Sequence, residues 1–234
     1  MKLTSPQREA FEALKNKIKD VEKSSSKWGI AFIGPDSFGK TEVIKFLVKN
    51  VTNEELEFVR LDLFAPVICP EPRVNVNWEE YIKQVKDLLP NINFSEIDEI
   101  NSILNKMSKI NSICKEKGKR VFIVLDHLEI CRNWREARWP IENEIADIIA
   151  VCDDDAWKKA ERVITSFFFK RVYLNELIDF KKDKETFCEI VAGKFELQER
   201  TILEFFDKIS GEYSKGRTFS WNDILKMLDE METL

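Results

Sequence analysis

The sequence predicts an α/β fold: a three-layer core built on a parallel sheet, followed by a small all-α lid. Three observations predict it. Residues 30–33 and 121–125 are uninterrupted apolar runs, the pattern of strands covered on both faces in a parallel sheet. Between the first run and a helix-spaced set (Val43, Ile44, Phe46, Leu47, Val48) lies a loop bounded by Gly34 and Gly39. From Lys181 onward the apolar spacing is helical only, which divides the chain into a strand-bearing core with an N-terminal helix, residues 1–180, and a helical lid, residues 181–234.

A chain of 234 residues accommodates one large α/β domain, or a core with a small appendage. With 44% apolar and 34% charged residues it reads as globular with a charged surface. The net charge of −5 argues against a whole surface built for nucleic acid and leaves room only for a local basic patch. The five cysteines are widely spaced and form no C-x-x-C pair, which fits a reducing compartment and suggests neither zinc nor a disulfide framework. Residues 1–29 are polar and charged, unlike a leader, and no apolar run approaches the ~20 residues of a membrane span. A cytoplasmic location is expected.

Taken in order, residues 5–23 place Phe11, Leu14, Ile18 and Val21 at steps of three and four behind Ser5-Pro6, an amphipathic helix with an early proline. Three serines, residues 24–26, end it, and the glycine-loop unit runs to about Asn50. Residues 57–67 are strand-like, and residues 68–77 are a proline-bearing loop. Asn77 caps a helix over 78–89 that Pro90 stops. Ser95 opens a longer helix over 96–116, apolar from Ile97 to Ile113, and Gly118 closes it. The strand over 121–125 ends in Asp126. Residues 131–140 read as irregular, aromatic and basic, and 141–160 as a helix through Ile141, Ile145, Ile148, Ile149, Cys152 and Trp157. Residues 163–169 read as the next strand and 172–174 as a short terminal one. Three helices follow, marked by Phe187, Ile190 and Val191, by Ile202 to Ile209, and by Ile224, Leu225 and Leu228.

Gly34-Pro35-Asp36-Ser37-Phe38-Gly39-Lys40-Thr41 fits G-x-x-x-x-G-K-[ST], the phosphate-binding P-loop, in the strand–loop–helix setting it requires. The glycines let the backbone wrap an anion with no Cβ in the way. Free N–H groups of the loop and of the helix start, Glu42 included, then point at phosphates. Lys40 reaches the β- and γ-phosphates, and Thr41 offers its hydroxyl to Mg²⁺. Asp126 stands at the carboxyl end of a buried strand, where open α/β sheets place their ligands, and supplies a second group for the metal. Glu129 can orient or deprotonate an attacking water if the chain turns after the strand. His127, the only histidine, either touches phosphate or is a polar residue at the sheet edge. Thr165 and Ser166 stand in the strand read over 163–169, where a hydroxyl either bonds the γ-phosphate or closes local backbone bonds.

In this order of elements, with the P-loop, Asp126, Thr165-Ser166 and a helical lid, the chain resembles P-loop NTPases of the AAA+ and STAND type. More narrowly it resembles their archaeal ATPase and replication-initiator-like branch, over about residues 5–231. The resemblance implies ATP and Mg²⁺ as ligands and ATP hydrolysis as the reaction. It makes Lys40 and Thr41 the Walker A pair, Asp126 the Walker B acid and Thr165 or Ser166 the sensor. It makes Arg217 the lid arginine at the γ-phosphate and Arg162 an arginine finger toward a neighbouring subunit, with Arg171 as its rival. Where many members carry Asp-Glu, this chain has Asp126-His127, which implies slow hydrolysis.

Two roles follow. One is a DNA-associated AAA+-type ATPase, in which Arg132, Trp134, Arg135, Arg138 and Trp139 neutralise phosphate and stack on bases. The same residues can equally plug into the core or a neighbouring subunit, because arginine and aromatic residues also mark protein interfaces. The other is a STAND-like nucleotide-gated switch that binds a protein partner with little or no hydrolysis, which His127 and the acidic balance favour. A metabolic phosphotransferase fits less well, because no second constellation offers an acceptor pocket. A homo-oligomer or a protein partner is expected, and membrane association is not.

Overall fold

Five strands, β1 (Gly29–Ile33), β2 (Leu56–Asp62), β3 (Arg120–Asp126), β4 (Asp147–Cys152) and β5 (Lys170–Tyr173), lie in the order β2-β3-β4-β1-β5 with every pair parallel. The structure is a computed structural model that describes residues 2–53, 55–63, 75–131, 133–164, 167–168, 170–195 and 197–232. Strand side chains alternate between two apolar layers, as a pleated strand requires. Ile30, Phe32, Phe122, Val124 and Val151 face α1 (Ser5–Glu22) and α2 (Lys40–Val51). Ala31, Ile33, Val59, Ile123, Leu125 and Ile148 face α3 (Trp78–Leu88), the short α4 (Ser95–Asp98), α5 (Ile103–Glu116), α6 (Trp134–Glu142) and α7 (Asp154–Ile164). The expected three-layer α/β core with its parallel sheet is therefore present.

A third apolar cluster, with Phe187, Ile202, Phe205, Phe206, Ile209, Ile224 and Leu228 at its centre, joins α8 (Lys184–Ala192), α9 (Glu199–Ser214) and α10 (Trp221–Glu232). Phe38 of the glycine loop packs against both this cluster and the α1–α2 layer. The entrance to the helical unit is tied to the start of α1. Buried Asp183 accepts from Ser5 N (2.8 and 2.9 Å), Ser5 Oγ (2.7 Å) and Asp179 N (2.8 Å), and the Thr4 hydroxyl donates to Leu177 O at 2.8 Å. At the opposite end of the sheet, buried Asp147 is held by Arg120 (2.8 and 3.0 Å) and by the Trp28 N–H (2.8 Å).

The structure changes four local expectations. The helix over 141–160 is not there: its middle is β4, fully buried, between the end of α6 and the start of α7. A strand covered on both faces has no polar alternation, so Ile145, Ile148, Ile149 and Cys152 fell at helical spacing by coincidence. The strand over 163–169 is displaced, because Val163 and Ile164 belong to α7; Thr165, Ser166 and Phe169 lie outside the described residues. The helix over 96–116 breaks into α4 and α5, with Ser102 extended (φ −87°, ψ 126°) before α5. Asn101 and Ser102 are weak helix formers that favour such a restart. The irregular segment over 131–140 is mostly α6, whose Asn133 side chain accepts from Arg135 N at 3.1 Å. Among the described residues, no helix is long and apolar enough to cross a membrane.

Candidate functional site

The loop after β1 takes its shape from close packing at both glycines. A Cβ on Gly34 would sit 2.4 Å from the Leu174 carbonyl oxygen, just past β5. Gly39 caps α2 in the left-handed region (φ 84°, ψ 27°), and a Cβ there would meet the Gln7 side chain at 2.4 Å. Ser37 also has positive φ (57°), which a non-glycine residue adopts only when its surroundings enforce it. Those surroundings are visible. Gln7 Nε2 donates to Phe38 O at 3.1 Å, Trp221 N donates to Ser37 O at 3.0 Å, and Asn222 Nδ2 donates to Ser37 Oγ at 2.6 Å. Helices α1 and α10 thus clasp the loop from two sides.

Lys40, the first residue of α2, is 8% exposed, and its ammonium donates to Gly34 O and Pro35 O at 2.8 Å each. Thr41 Oγ1 is the next polar group along the helix. It lies 3.3 Å from Asp126 Oδ1 and 3.4 Å from His127 Nε2. Asp126 is 1% exposed at the end of β3. Its Oδ1 also accepts from His127 N (3.1 Å), and its Oδ2 accepts from Arg60 Nε (2.9 Å) and Nη2 (2.7 Å). Arg60 Nη2 donates as well to Asp62 Oδ2 at 2.6 Å.

The chain does turn after the strand. His127 is left-handed (φ 60°, ψ 45°), and a 3-10 turn over Leu128–Ile130 brings Glu129 back beside it. His127 Nδ1 and Glu129 Oε1 are 3.0 Å apart. Because a carboxylate only accepts, the proton sits on Nδ1. That hydrogen bond, opposed by burial and aided by the charges of Asp126, Glu129 and Asp62, raises the His127 pKa above its ordinary 6.5. Glu129 Oε2 is buried with no hydrogen-bond partner among the described residues.

These groups line one cleft of about 880 Å³, floored by the glycine loop, Thr41, Asp126, His127 and Glu129 and roofed by Ile190, Gly193, Trp221 and Leu225 of the helical unit. Of the expected site residues, the cleft brings together Asp36, Ser37, Gly39, Lys40, Thr41, Glu42, Asp126 and Glu129; Gly34, Pro35 and Phe38 belong to the same loop. Arg217 is exposed before α10, with its guanidinium 5.0 Å from the Phe219 ring, and does not line the cleft. Arg162 is a residue of α7 whose side chain lies outside the described residues, as do Thr165, Ser166 and Arg132. Arg171 stands in β5 with its guanidinium 5.3 Å from the Trp157 ring. Trp134 and Trp139 pack against the core, Trp139 at 6.1 Å from Trp78. Arg138 pairs with Glu142 at 3.1 Å, while Arg135 is exposed.

Arg60, Gln7, Trp221 and Asn222 were not found from the sequence. The strand containing Arg60 carried a usable signal, an arginine and an aspartate two apart and so on one face. Lys40, Thr41 and Asp126 together suit a divalent ion shared with a phosphate: a hydroxyl and a carboxylate side by side, next to a loop bounded by two glycines. The protein alone does not form a cage, since no cluster of three or more His, Cys, Asp or Glu among the described residues could hold a metal. A divalent ion at Thr41 and Asp126 would need further oxygen ligands, which phosphate could supply.

Comparison with solved structures finds a likeness of fold to archaeal ORC and Cdc6 proteins. The ORC2 protein of Aeropyrum pernix, solved as ADPNP-ADP complexes, matches with a TM-score of 0.60 at 12% identity, over 88% of this chain and 57% of that one. Cdc6p from Pyrobaculum aerophilum matches with a TM-score of 0.55 at 12% identity, over 88% and 55%. The Aeropyrum pernix ORC1 protein, solved in complex with DNA, matches with a TM-score of 0.51 at 11% identity, over 99% and 66%. This chain spans between about half and two thirds of the length of these structures. At such identities the likeness is one of fold. No protein-family model matches the sequence, and no curated protein matches it.

Proposed function

We propose that the protein binds ATP with Mg²⁺, hydrolyses it slowly, and works in association with DNA as an AAA+-type ATPase. The observation that carries this reading is the meeting of Lys40, Thr41 and Asp126 in one cleft at the carboxyl edge of the sheet. In this reading Lys40 exchanges the two loop carbonyls for β- and γ-phosphate oxygens, and the loop amides take the remaining phosphate charge. Thr41 and Asp126 would hold the Mg²⁺, which when bound would neutralise charge on the phosphates. Glu129 Oε2, a buried acceptor without a partner, is the group that orients the attacking water. Residues 181–234 act as the lid over the nucleotide. Arg217, exposed and turned toward Phe219, reaches the γ-phosphate only after a lid rearrangement. Arg162 as finger and Thr165 or Ser166 as sensor complete the proposal on the resemblance alone.

DNA association draws support from the DNA-bound neighbour of the same fold, and on this chain it rests on exposed Arg135 more than on the tryptophans, which are turned inward. One observation favours the second reading, a STAND-like switch read by a protein partner. The bonds of Trp221 and Asn222 to Ser37 connect the lid directly to the phosphate loop, so loop occupancy would be felt by α10. Calorimetric ATP titration, and turnover with and without duplex DNA, test the proposal. Mg²⁺-supported ATP binding with DNA-stimulated turnover is the expected result. Binding without turnover, with flat DNA anisotropy at low salt, would move the protein to the switch reading. Absence of ATP binding would overturn both.

A further inference from the structure

The acid assigned to the metal is already fully engaged. Oδ1 of Asp126 accepts from Thr41 and from the His127 amide, and Oδ2 accepts twice from Arg60. A carboxylate offers about four lone-pair sites, so an ion or its water has to displace one of these donors. The Thr41 hydroxyl is itself a metal group in the reading above, and the amide is fixed by the left-handed turn at His127. Arg60 is the movable donor, and it has somewhere to go. Its Nη2 bonds Asp62 as well, and the β2–β3 register sets Asp62 opposite Asp126, so one guanidinium bridges a pair of carboxylates on neighbouring strands. Asp126 is buried and Asp62 exposed.

We propose that Arg60 sets the divalent-metal affinity of this site: it occupies Asp126 until the ion enters and then falls back on Asp62. This inference rests on the nucleotide reading above. The physical basis is competition between cations. A guanidinium on the metal's acid repels a second cation and must be moved before the acid is free. Removing it leaves two adjacent carboxylates, a hard-oxygen pair of the kind divalent ions prefer. Arg60 is a positioning residue, acting through Asp126. A purely structural role, pinning β2 to β3, predicts only loss on substitution, whereas competition predicts a gain.

The test follows Mg²⁺ titrations of the anisotropy of a fluorescent ATP analogue, and Mn²⁺ binding without nucleotide by electron paramagnetic resonance. Arg60→Gln is expected to lower the half-saturating Mg²⁺ concentration by about tenfold or more and to bind Mn²⁺ where the parent protein does not. Asp62→Asn, a change at an exposed position, leaves Arg60 to Asp126 alone and is expected to raise the Mg²⁺ requirement several-fold. An Arg60→Gln protein that folds with an unchanged or higher Mg²⁺ requirement overturns the proposal. If Arg60→Gln does not fold, an unchanged requirement in Asp62→Asn overturns it. If the parent binds no nucleotide with any metal, the nucleotide reading falls by itself, and the Mn²⁺ measurement still decides whether Arg60 competes with cations.

Discussion

Replacing Lys40 by alanine separates binding from folding. The ammonium is held by two carbonyls at 2.8 Å each in a nearly closed position. Opposite a phosphate oxygen at about 4 Å, with an effective dielectric near 20, it gains about 4 kcal/mol. Leaving its two carbonyls offsets about 1–2 kcal/mol of that. The net loss of ATP affinity in Lys40→Ala is therefore about 2–3 kcal/mol, or about 30- to 150-fold in Kd. The Lys40 side chain lines the cleft, so its removal lets water reach the two carbonyls, and folding stability should change by about 1 kcal/mol or less. Calorimetric ATP titration alongside urea unfolding measures both quantities on one sample. A Kd within about threefold of the parent, with an unchanged unfolding curve, would refute the placement of phosphate at this lysine.

Gly34→Ala forces a Cβ to 2.4 Å from the Leu174 carbonyl, and should cost at least about 2 kcal/mol by urea unfolding, since backbone on both sides has to move. His127 has a raised pKa, chiefly through its hydrogen bond to Glu129. A raised basic pKa adds stability that is fully present below about pH 6.5 and is lost as pH rises through the folded-state value. The stability difference between the parent and His127→Gln should accordingly shrink between about pH 5.5 and pH 8.5. Trp139→Ala removes the ring packed on Trp78 and should destabilise by about 2–3 kcal/mol, read by thermal unfolding. Arg135→Ala should leave stability within about 0.5 kcal/mol while lowering DNA affinity and its salt slope by about one contact.

What could be read from the sequence was local. The loop from Gly34 to Thr41 announces itself because its chemistry lies in eight consecutive residues. Strands β1 and β3 are bounded by a glycine loop and by an acid, which stand out against apolar runs. Strand β4 was hidden because its flanks supplied helical spacing and its buried run had no alternation to contradict them. With β4 misread, the next strand was sought over residues 163–169, where Val163 and Ile164 belong to α7. Yet β4 is one of the two strands beside β1, ending at Cys152, whose carbonyl accepts from Gly34 N at 3.4 Å. Arg60 escaped for a different reason. Its meeting with Asp126 depends on the register of two strands more than fifty residues apart in the chain, and no spacing along the chain encodes that. The clasp on Ser37 by Trp221 and Asn222 is likewise long-range, joining residues 184 and 185 positions apart.

Asp183 carries a mechanical consequence. One carboxylate caps the start of α1 and closes the approach to α8 together, so the doorway between core and helical unit is riveted to the N-terminal helix. Any rocking of α8–α10 over the cleft then has its fulcrum downstream of residue 183, and the shortest lever it can swing is α8 itself. Amide exchange at Ser5 and Asp179 should stay slow whether or not the cleft is filled, while the far ends of α9 and α10 travel.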